Sequence, residues 1–296
     1  MIPAALGVRR IGAREFDFAR RAAVMAIVNR TPDSFHDRGA TFSLDAAVQA
    51  CLTAVADGAD WVDIGGVPFG RGPEGNAPDV SVAEEIERVV PVVAAVAAAS
   101  DVVISVDTVS SAVAAAAIAA GASVINDTSG LWDPQMAAVV ADSEATLVLT
   151  HSLWPPRAEP PRPQYDDVVA TVVEFLRERI GLAVAAGVPL DRLVVDPGHD
   201  LNKNTLHSLE LTRRLPEIVA LGLPTLVALS NKDFIGETLD RSQYERLPGS
   251  LAATVACVLA GARIVRVHDV AATVDAVRMT EAILGLREPS FVRHNA

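Results

Sequence analysis

A single-domain (β/α)8 TIM barrel is the fold class the sequence predicts, and three observations carry that expectation. The chain has 296 residues, a length that barrels of this class commonly occupy as one domain. One unit recurs along it: an Ala/Val-rich amphipathic stretch, a helix-ending glycine, then a short β-branched run that finishes in a polar residue. Those runs number eight. An open doubly wound sheet is the competing architecture. No G-x-G-x-x-G fingerprint follows the first run, however, and eight strand–helix units joined by right-handed crossovers suit a closed barrel.

In chain order the runs are VMAIVN from Val24, WVDIG from Trp61, VVISVD from Val102, SVINDT from Ser123, ATLVLTH from Ala145, RLVVDPG from Arg192, TLVALSN from Thr225 and RIVRVHD from Arg263. Between the first two, Ser43 to Asp57 places Val48, Leu52 and Val55 on one helical face. Ser81 with Glu84 reads as a capping box ahead of the stripe Ile86, Val89 and Val93. Gly58, Gly121, Gly187, Gly222 and Gly261 stand where a helix closes in the left-handed conformation, which carries no Cβ penalty for glycine. Residues 1–21 read as an N-terminal extension, 22–286 as the barrel and 287–296 as a C-terminal tail.

Hydrophobic residues make up 50% of the chain but aromatics only 4%, so the interior must be built from Ala, Val, Leu and Ile, as in buried parallel strands. A formal charge of -12 with no Lys/Arg run excludes a nucleic-acid or anionic-membrane surface. The run VVPVVAAVAAAS is too short to span a bilayer and contains Pro91. The first residues mix charges and do not resemble a signal peptide, so a soluble cytoplasmic protein is expected. Cys51 and Cys257 lie among apolar neighbours in helical segments and read as core residues of a reducing compartment.

Barrel chemistry gathers at the mouth formed by the strands' C-terminal ends. The runs end there in Asn29, Asp63, Asp107, Asn126, His151, Asp196, Ser230 with Lys232, and Arg266 with His268. Each has a bland explanation alone: Asp107 as a cap on the next helix, Asp196 as a turn residue before Pro197 and Gly198, His151 as a satisfied core histidine, Asp63 as a structural group beneath the mouth. Together they are hard to explain by packing, because buried carboxylates and amides are costly without partners. Asp107, Asn126, Asp196 and Lys232 supply groups that read the donor and acceptor edge of a flat heterocycle. Asn29, Arg266 and His268 suit a phosphate, with Asn29 available to a magnesium ion.

The segments holding these residues resemble the dihydropteroate synthases from about Val24 to Ile283. The likeness rests on NRTPDSF (Asn29–Phe35), Asp107-Thr108, NDTSG (Asn126–Gly130), Asp196-Pro197-Gly198, SNKD (Ser230–Asp233) followed by FIG, and RVHDV (Arg266–Val270). The resemblance implies a barrel that condenses a hydroxymethyl-dihydropterin pyrophosphate with p-aminobenzoate, releasing magnesium-bound pyrophosphate. It implies pterin binding at Asp107, Asn126, Asp196 and Lys232, and pyrophosphate binding at Arg266, His268 and Arg71, with Asn29 serving the Mg2+ ion. Thr31, Pro32, Leu201, Ser230 and Asn231 fall on the aminobenzoate side. A homodimer paired through helices late in the barrel is also implied.

The departures are concentrated. The family's Asp-x-Gly-Gly-Glu-Ser-(Ser/Thr)-Arg-Pro-Gly loop is DIGGVPFGRG here, Asp63 to Gly72: Val67, Pro68 and Phe69 replace the Glu and two hydroxyls, and Arg71 is displaced by one position. Arg30 occupies an apolar position, Asn231 replaces an arginine, Asp233 a serine, and His199, Asp200, Leu201 and Asn202 stand for Ile-Gly-Phe-Gly. The expectation is an impaired or inactive synthase homologue with a partly retained pterin or anion pocket. Two readings compete with it: an active synthase using Arg71 and Arg30 as a modified clamp, and a non-catalytic binding or regulatory protein. A methyltransferase of the same barrel type is disfavoured by SNKDFIG and RVHDV.

Overall fold

The computed structural model describes residues 6–30, 42–67, 79–156 and 162–294. An antiparallel hairpin, β1 (Val8–Ile11) and β2 (Arg14–Asp17), comes first. Eight parallel strands follow: β3 (Ala23–Asn29), β4 (Trp61–Gly65), β5 (Val103–Asp107), β6 (Val124–Asp127), β7 (Thr146–Thr150), β8 (Leu193–Asp196), β9 (Leu226–Ala228) and β10 (Ile264–Val267). Interleaved with them are α1 (Leu44–Ala56), α2 (Val82–Ala99), α3 (Ser111–Ala119), α4 (Met136–Ala141), α5 (Val168–Ala185), α6 (Thr205–Arg213), α7 (Leu215–Val219), α8 (Asp233–Leu239), α9 (Leu247–Ala260) and α10 (Val270–Ile283). The strand order is β8-β7-β6-β5-β4-β3-β10-β9, and a parallel bridge between Val195 and Thr225 closes the ring between β8 and β9. The eight predicted strands are these eight, and the barrel, not the open sheet, is formed.

Strand alternation sorts side chains into two cores. Val24, Ala26, Val62, Ile64, Ile104, Val106, Ile125, Leu147, Leu149, Val195, Val227 and Val265 point outward and pack against the helices. Met25, Trp61, Val103, Val124, Val148, Val194, Leu226 and Ile264 point inward and fill the barrel's lower half. That inner core continues into the hairpin region, where Leu6, Ile11, Phe16 and Phe18 plug the N-terminal end of the barrel. Phe16 stacks on Phe18 at 5.7 Å and meets Trp61 edge-on at 5.8 Å. Each such buried aromatic removes 150–250 Å² from water, on the usual order for these side chains. The segment expected as an extension is therefore the floor of the barrel.

Helix details adjust the sequence reading. The buried stripe of α1 is Ala47, Cys51 and Ala54, with Val48, Leu52 and Val55 flanking it half-buried; small residues at the centre let the helix approach the sheet closely. The Ser81 hydroxyl accepts from the Glu84 N–H at 3.2 Å, but the Glu84 carboxylate turns to Arg88 at 2.5 Å, so only half of the capping box forms. All five predicted helix-ending glycines have positive φ, from 79° to 117°. At Gly261 a side chain is excluded twice over: φ is 114°, and a Cβ would lie 2.9 Å from Val219 Cγ1. Among the described residues no helix is long and apolar enough to cross a membrane.

Candidate functional site

Moving up the inner wall, the apolar layer gives way to a polar one. Asp63, Ser105, Asn126, Thr150, Asp196 and Arg266 each stand two residues beyond an inward apolar residue of the same strand, so the pleat turns all six into the barrel. Ile27, in the middle of β3, is only half-buried, because the interior opens toward the mouth at that level.

Asp63 is the hub. It is fully buried and accepts from Arg266 Nε at 2.6 Å and from Asn126 Nδ2 at 3.1 Å. The other end of the same guanidinium donates to Asp107 Oδ2 at 2.9 Å, while the Thr128 hydroxyl donates to Asp107 Oδ1 at 3.3 Å. Asp107 does not cap the following helix, whose first N–H, from Ser111, goes to Asp133. Burial pushes the Asp107 carboxyl up to about 7; Arg266 opposes the rise, and Asp63 and Glu85 add to it. Glu85, buried on α2 and hydrogen-bonded by Thr108, is itself raised by burial. One arginine thus serves two carboxylates with a third acid close by.

Across the mouth, Asp196 Oδ1 accepts the Gly198 N–H at 2.7 Å, so this carboxylate both shapes its turn and faces the interior. Burial raises its pKa, against the pull of Lys232, Lys203 and Arg266. Lys232 donates to the His199 carbonyl, and burial lowers its pKa against the nearby Asp200 and Asp196. Ser230 accepts from the His268 N–H at 3.3 Å and lies 3.1 Å from its Nδ1. The Asn29 side-chain oxygen lies beside Gly65, where a Cβ would come within 3.2 Å of it and 3.8 Å of Asp107 Cβ. Asn29, Asp107, Asn126, Asp196, Lys232, Ser230, Arg266 and His268 are thereby gathered at one end of the barrel.

Other expected residues are placed differently. His151 is not in the ring: alternation from the inward Val148 gives Thr150 the inward position and His151, one residue past the strand's end, the outward one. His151 is fully buried, 4.8 Å from the Phe175 ring, with Nδ1 2.8 Å from Lys203 Nζ. Burial and the adjacent Lys203 push its pKa down to about 2, so it is a neutral core histidine. Arg30 follows the inward Asn29 and therefore points outward, donating to the carbonyls of Phe42 at 3.0 Å, Glu87 at 3.1 Å and Arg88 at 2.6 Å. Asn231, at φ 58°, is buried against Ser250 of α9, and its carbonyl accepts from Arg246 at 2.8 Å. Leu201 is half-buried in the turn after β8. Thr31, Pro32 and Arg71 lie outside the described residues.

Sequence reasoning passed over Lys203, Glu85, Ser105 and Thr150. Lys203 donates to His151 Nδ1 and to the carbonyls of Gly198 and Leu201, both at 2.9 Å, and so pins the turn that carries Asp196. Burial lowers it to about 7. Period-two counting back from Asp107 finds Ser105; a lysine among polar loop residues carries no comparable signal.

Comparison with known proteins agrees with this geometry. The family described as pterin binding enzyme matches residues 25–268. Inactive dihydropteroate synthase 2 of Mycobacterium leprae is 47% identical over 92% of this chain and 94% of its own. Dihydropteroate synthase of Escherichia coli is 40% identical over 90% of this chain and 93% of its own. The Yersinia pestis dihydropteroate synthase crystal structure with a sulfonamide drug superposes with a TM-score of 0.88 at 36% identity, over 95% of this chain and 100% of that one. With an (α/β) barrel whose strand ends carry the expected polar set, the chain belongs to the pterin-binding enzymes, in the dihydropteroate synthase family.

Proposed function

We propose that this chain is a dihydropteroate synthase homologue that keeps a pterin-binding mouth and has lost most or all capacity to condense hydroxymethyl-dihydropterin pyrophosphate with p-aminobenzoate. Asp107, Asn126, Asp196 and Lys232 hold the pterin edge in this reading. Arg266 and His268 face the pyrophosphate, with Arg71 as the displaced third group, and Thr31, Pro32, Leu201, Ser230 and Asn231 border the aminobenzoate side.

One observation carries the loss of activity: the described cations around the mouth already have partners within the protein. Arg266 is shared by Asp63 and Asp107, Lys232 is taken by the His199 carbonyl, Arg30 by three carbonyls, and Arg246 by Asn231 and Asp233. Condensation needs cations that take up charge as pyrophosphate departs and the amine attacks the methylene carbon. Here a departing anion must compete with those existing bonds. The name inactive dihydropteroate synthase 2, borne by a relative 47% identical, supports the same reading. An active synthase remains the second reading, favoured by relatives 40% identical that carry that name. With Arg30 committed elsewhere, it leans on Arg71.

Magnesium is held mainly by phosphate oxygens and water and needs few protein ligands. The Asn29 amide oxygen on the mouth's rim fits that need, and among the described residues no group of three or more His, Cys, Asp or Glu forms a cage. When bound, the ion would neutralise pyrophosphate charge; the protein's own part is to place Asn29 beside it. The proposal extends to a cytoplasmic homodimer paired through α9 and α10, where Leu259, Met279 and Ile283 are exposed.

Calorimetric titration of pterin, pyrophosphate and the pterin pyrophosphate, with a product assay using p-aminobenzoate and magnesium, tests the reading. Pterin should bind, the pyrophosphate group should add less than about tenfold in affinity, and product should be absent or scarce. Turnover matching ordinary synthases would refute it.

A further inference from the structure

We infer that the Thr150 hydroxyl reads the edge of the bound ligand, making Thr150 a specificity-determining residue of the mouth; the inference rests on the pterin-pocket reading proposed above. Thr150 is the last residue of β7, fully buried, and its Oγ1 has no hydrogen-bond partner. In register it stands opposite Asp196 on β8, and two residues beyond Val148, which stands opposite Asn126 on β6. The hydroxyl is thus set between the amide and the carboxylate expected to meet the heterocycle.

Its rotamer is explained by packing on one side only. The methyl lies against Gly198, where a Cβ would fall 3.3 Å from Thr150 Cγ2. The oxygen is left to the interior. Nor is it isolated: Asp63 Oδ1, Ser105 Oγ and Asn126 Oδ1 are likewise buried without partners. These four atoms come from β4, β5, β6 and β7, which are consecutive neighbours in the sheet, so they form one arc on the inner wall. Buried polar atoms in native proteins nearly always find partners, and four idle ones on a shared surface mark where a polar ligand belongs. A hydroxyl both donates and accepts, so it can meet either a ring nitrogen or an exocyclic amine on a flat heterocycle.

The test uses Thr150→Val, which keeps the shape and removes the hydroxyl, and Thr150→Ser, which keeps the hydroxyl, with 6-hydroxymethylpterin as the calorimetric probe on the full chain. Thr150→Val should bind roughly 3- to 10-fold more weakly than wild type, the loss of one hydrogen bond, and Thr150→Ser within about twofold. In the ligand-free state Thr150→Val should melt at the same temperature as wild type or higher, because a group idle there is removed. Equal affinities for wild type and Thr150→Val overturn the inference and leave the pocket reading standing. A ligand-free Thr150→Val protein much less stable than wild type also overturns it, since the hydroxyl then has a structural role. Failure of the wild type to bind the probe overturns both.

Discussion

Replacing Arg266 by methionine is the perturbation the mouth should resist most. In the wild type its guanidinium lies 2.6 Å from Asp63 and 2.9 Å from Asp107, with side-chain exposures of 16%, 0% and 24%. At an effective dielectric of about 20, each pair at such range is worth about 4 kcal/mol of attraction, most of which offsets the desolvation of the three groups. Methionine keeps the stem's packing but leaves two carboxylates facing each other, with Asn126 the remaining donor to Asp63. Breaking a buried pair in this way costs about 3–5 kcal/mol. The cost should depend on pH with a definite sign. Without Arg266 the Asp107 carboxyl, already raised by burial, loses the charge that opposes the rise, so the variant keeps its stability at low pH and loses it as pH rises through the raised value. Urea unfolding followed by circular dichroism at pH 5 and pH 8 measures the difference from wild type, which should be larger at pH 8. Adding Asp63→Asn to the variant removes one of the stranded charges and should recover part of the loss. A variant within about 1 kcal/mol of wild type at both pH values would show that the triad does not hold the mouth as described.

Arg30→Met should lower stability by roughly 1–2 kcal/mol, because a charged donor to three carbonyls is removed, while leaving pyrophosphate affinity unchanged within about twofold; thermal melts and calorimetry separate the two effects. A drop of tenfold or more in pyrophosphate affinity would restore Arg30 to the clamp. Pterin binding should weaken as pH falls through about 7, since a ligand that donates hydrogens to Asp107 prefers its ionised form and that carboxyl is pushed up to about 7. Asp107→Asn should flatten the profile between pH 6 and 8, and an unchanged slope would point to a different titrating group.

Much of the barrel was legible because the sequence repeats its own punctuation. β-branched runs set the strands, glycines at positive φ end the helices, and the polar residues closing the runs, His151 excepted, fall at the mouth. The hairpin beneath the barrel was missed because VRRI and REFD are short and mostly charged; only Gly12 at the turn and the buried Ile11, Phe16 and Phe18 betray it. The error at His151 has a sharper cause. Strand side chains alternate, so reading one residue past the last inward position lands on the outward face, and it hid Thr150 behind a more conspicuous neighbour. Lys203 was invisible for the opposite reason: its partners are a histidine 52 residues away and two carbonyls of its own turn, contacts that no local pattern encodes.

The turn after β8 shows which kind of divergence the mouth has undergone. Where the resemblance places two glycines, this chain has Asp200 and Asn202, yet both hold left-handed φ of 62° and 54°. Such a conformation costs most residues about 1–2 kcal/mol, and Asp and Asn are the types that bear it best because their side chains bond locally. Here they do. Asp200 accepts from Ser208 Oγ at 2.7 Å and from the Phe234 N–H at 3.3 Å, and Asn202 Oδ1 accepts from the Leu153 N–H at 2.9 Å. The left-handed backbone is thus present without glycine, and the side chains that permit it also tie the turn to α6, to α8 and to the loop after β7. One of them, Asp200, brings a carboxylate near Lys232 that a glycine could not supply. The mouth thus differs in its charges from the pattern the resemblance implies while holding the backbone turns that aim its strand ends, and the proposed combination of a retained pterin edge with an impaired anion side is compatible with one fold.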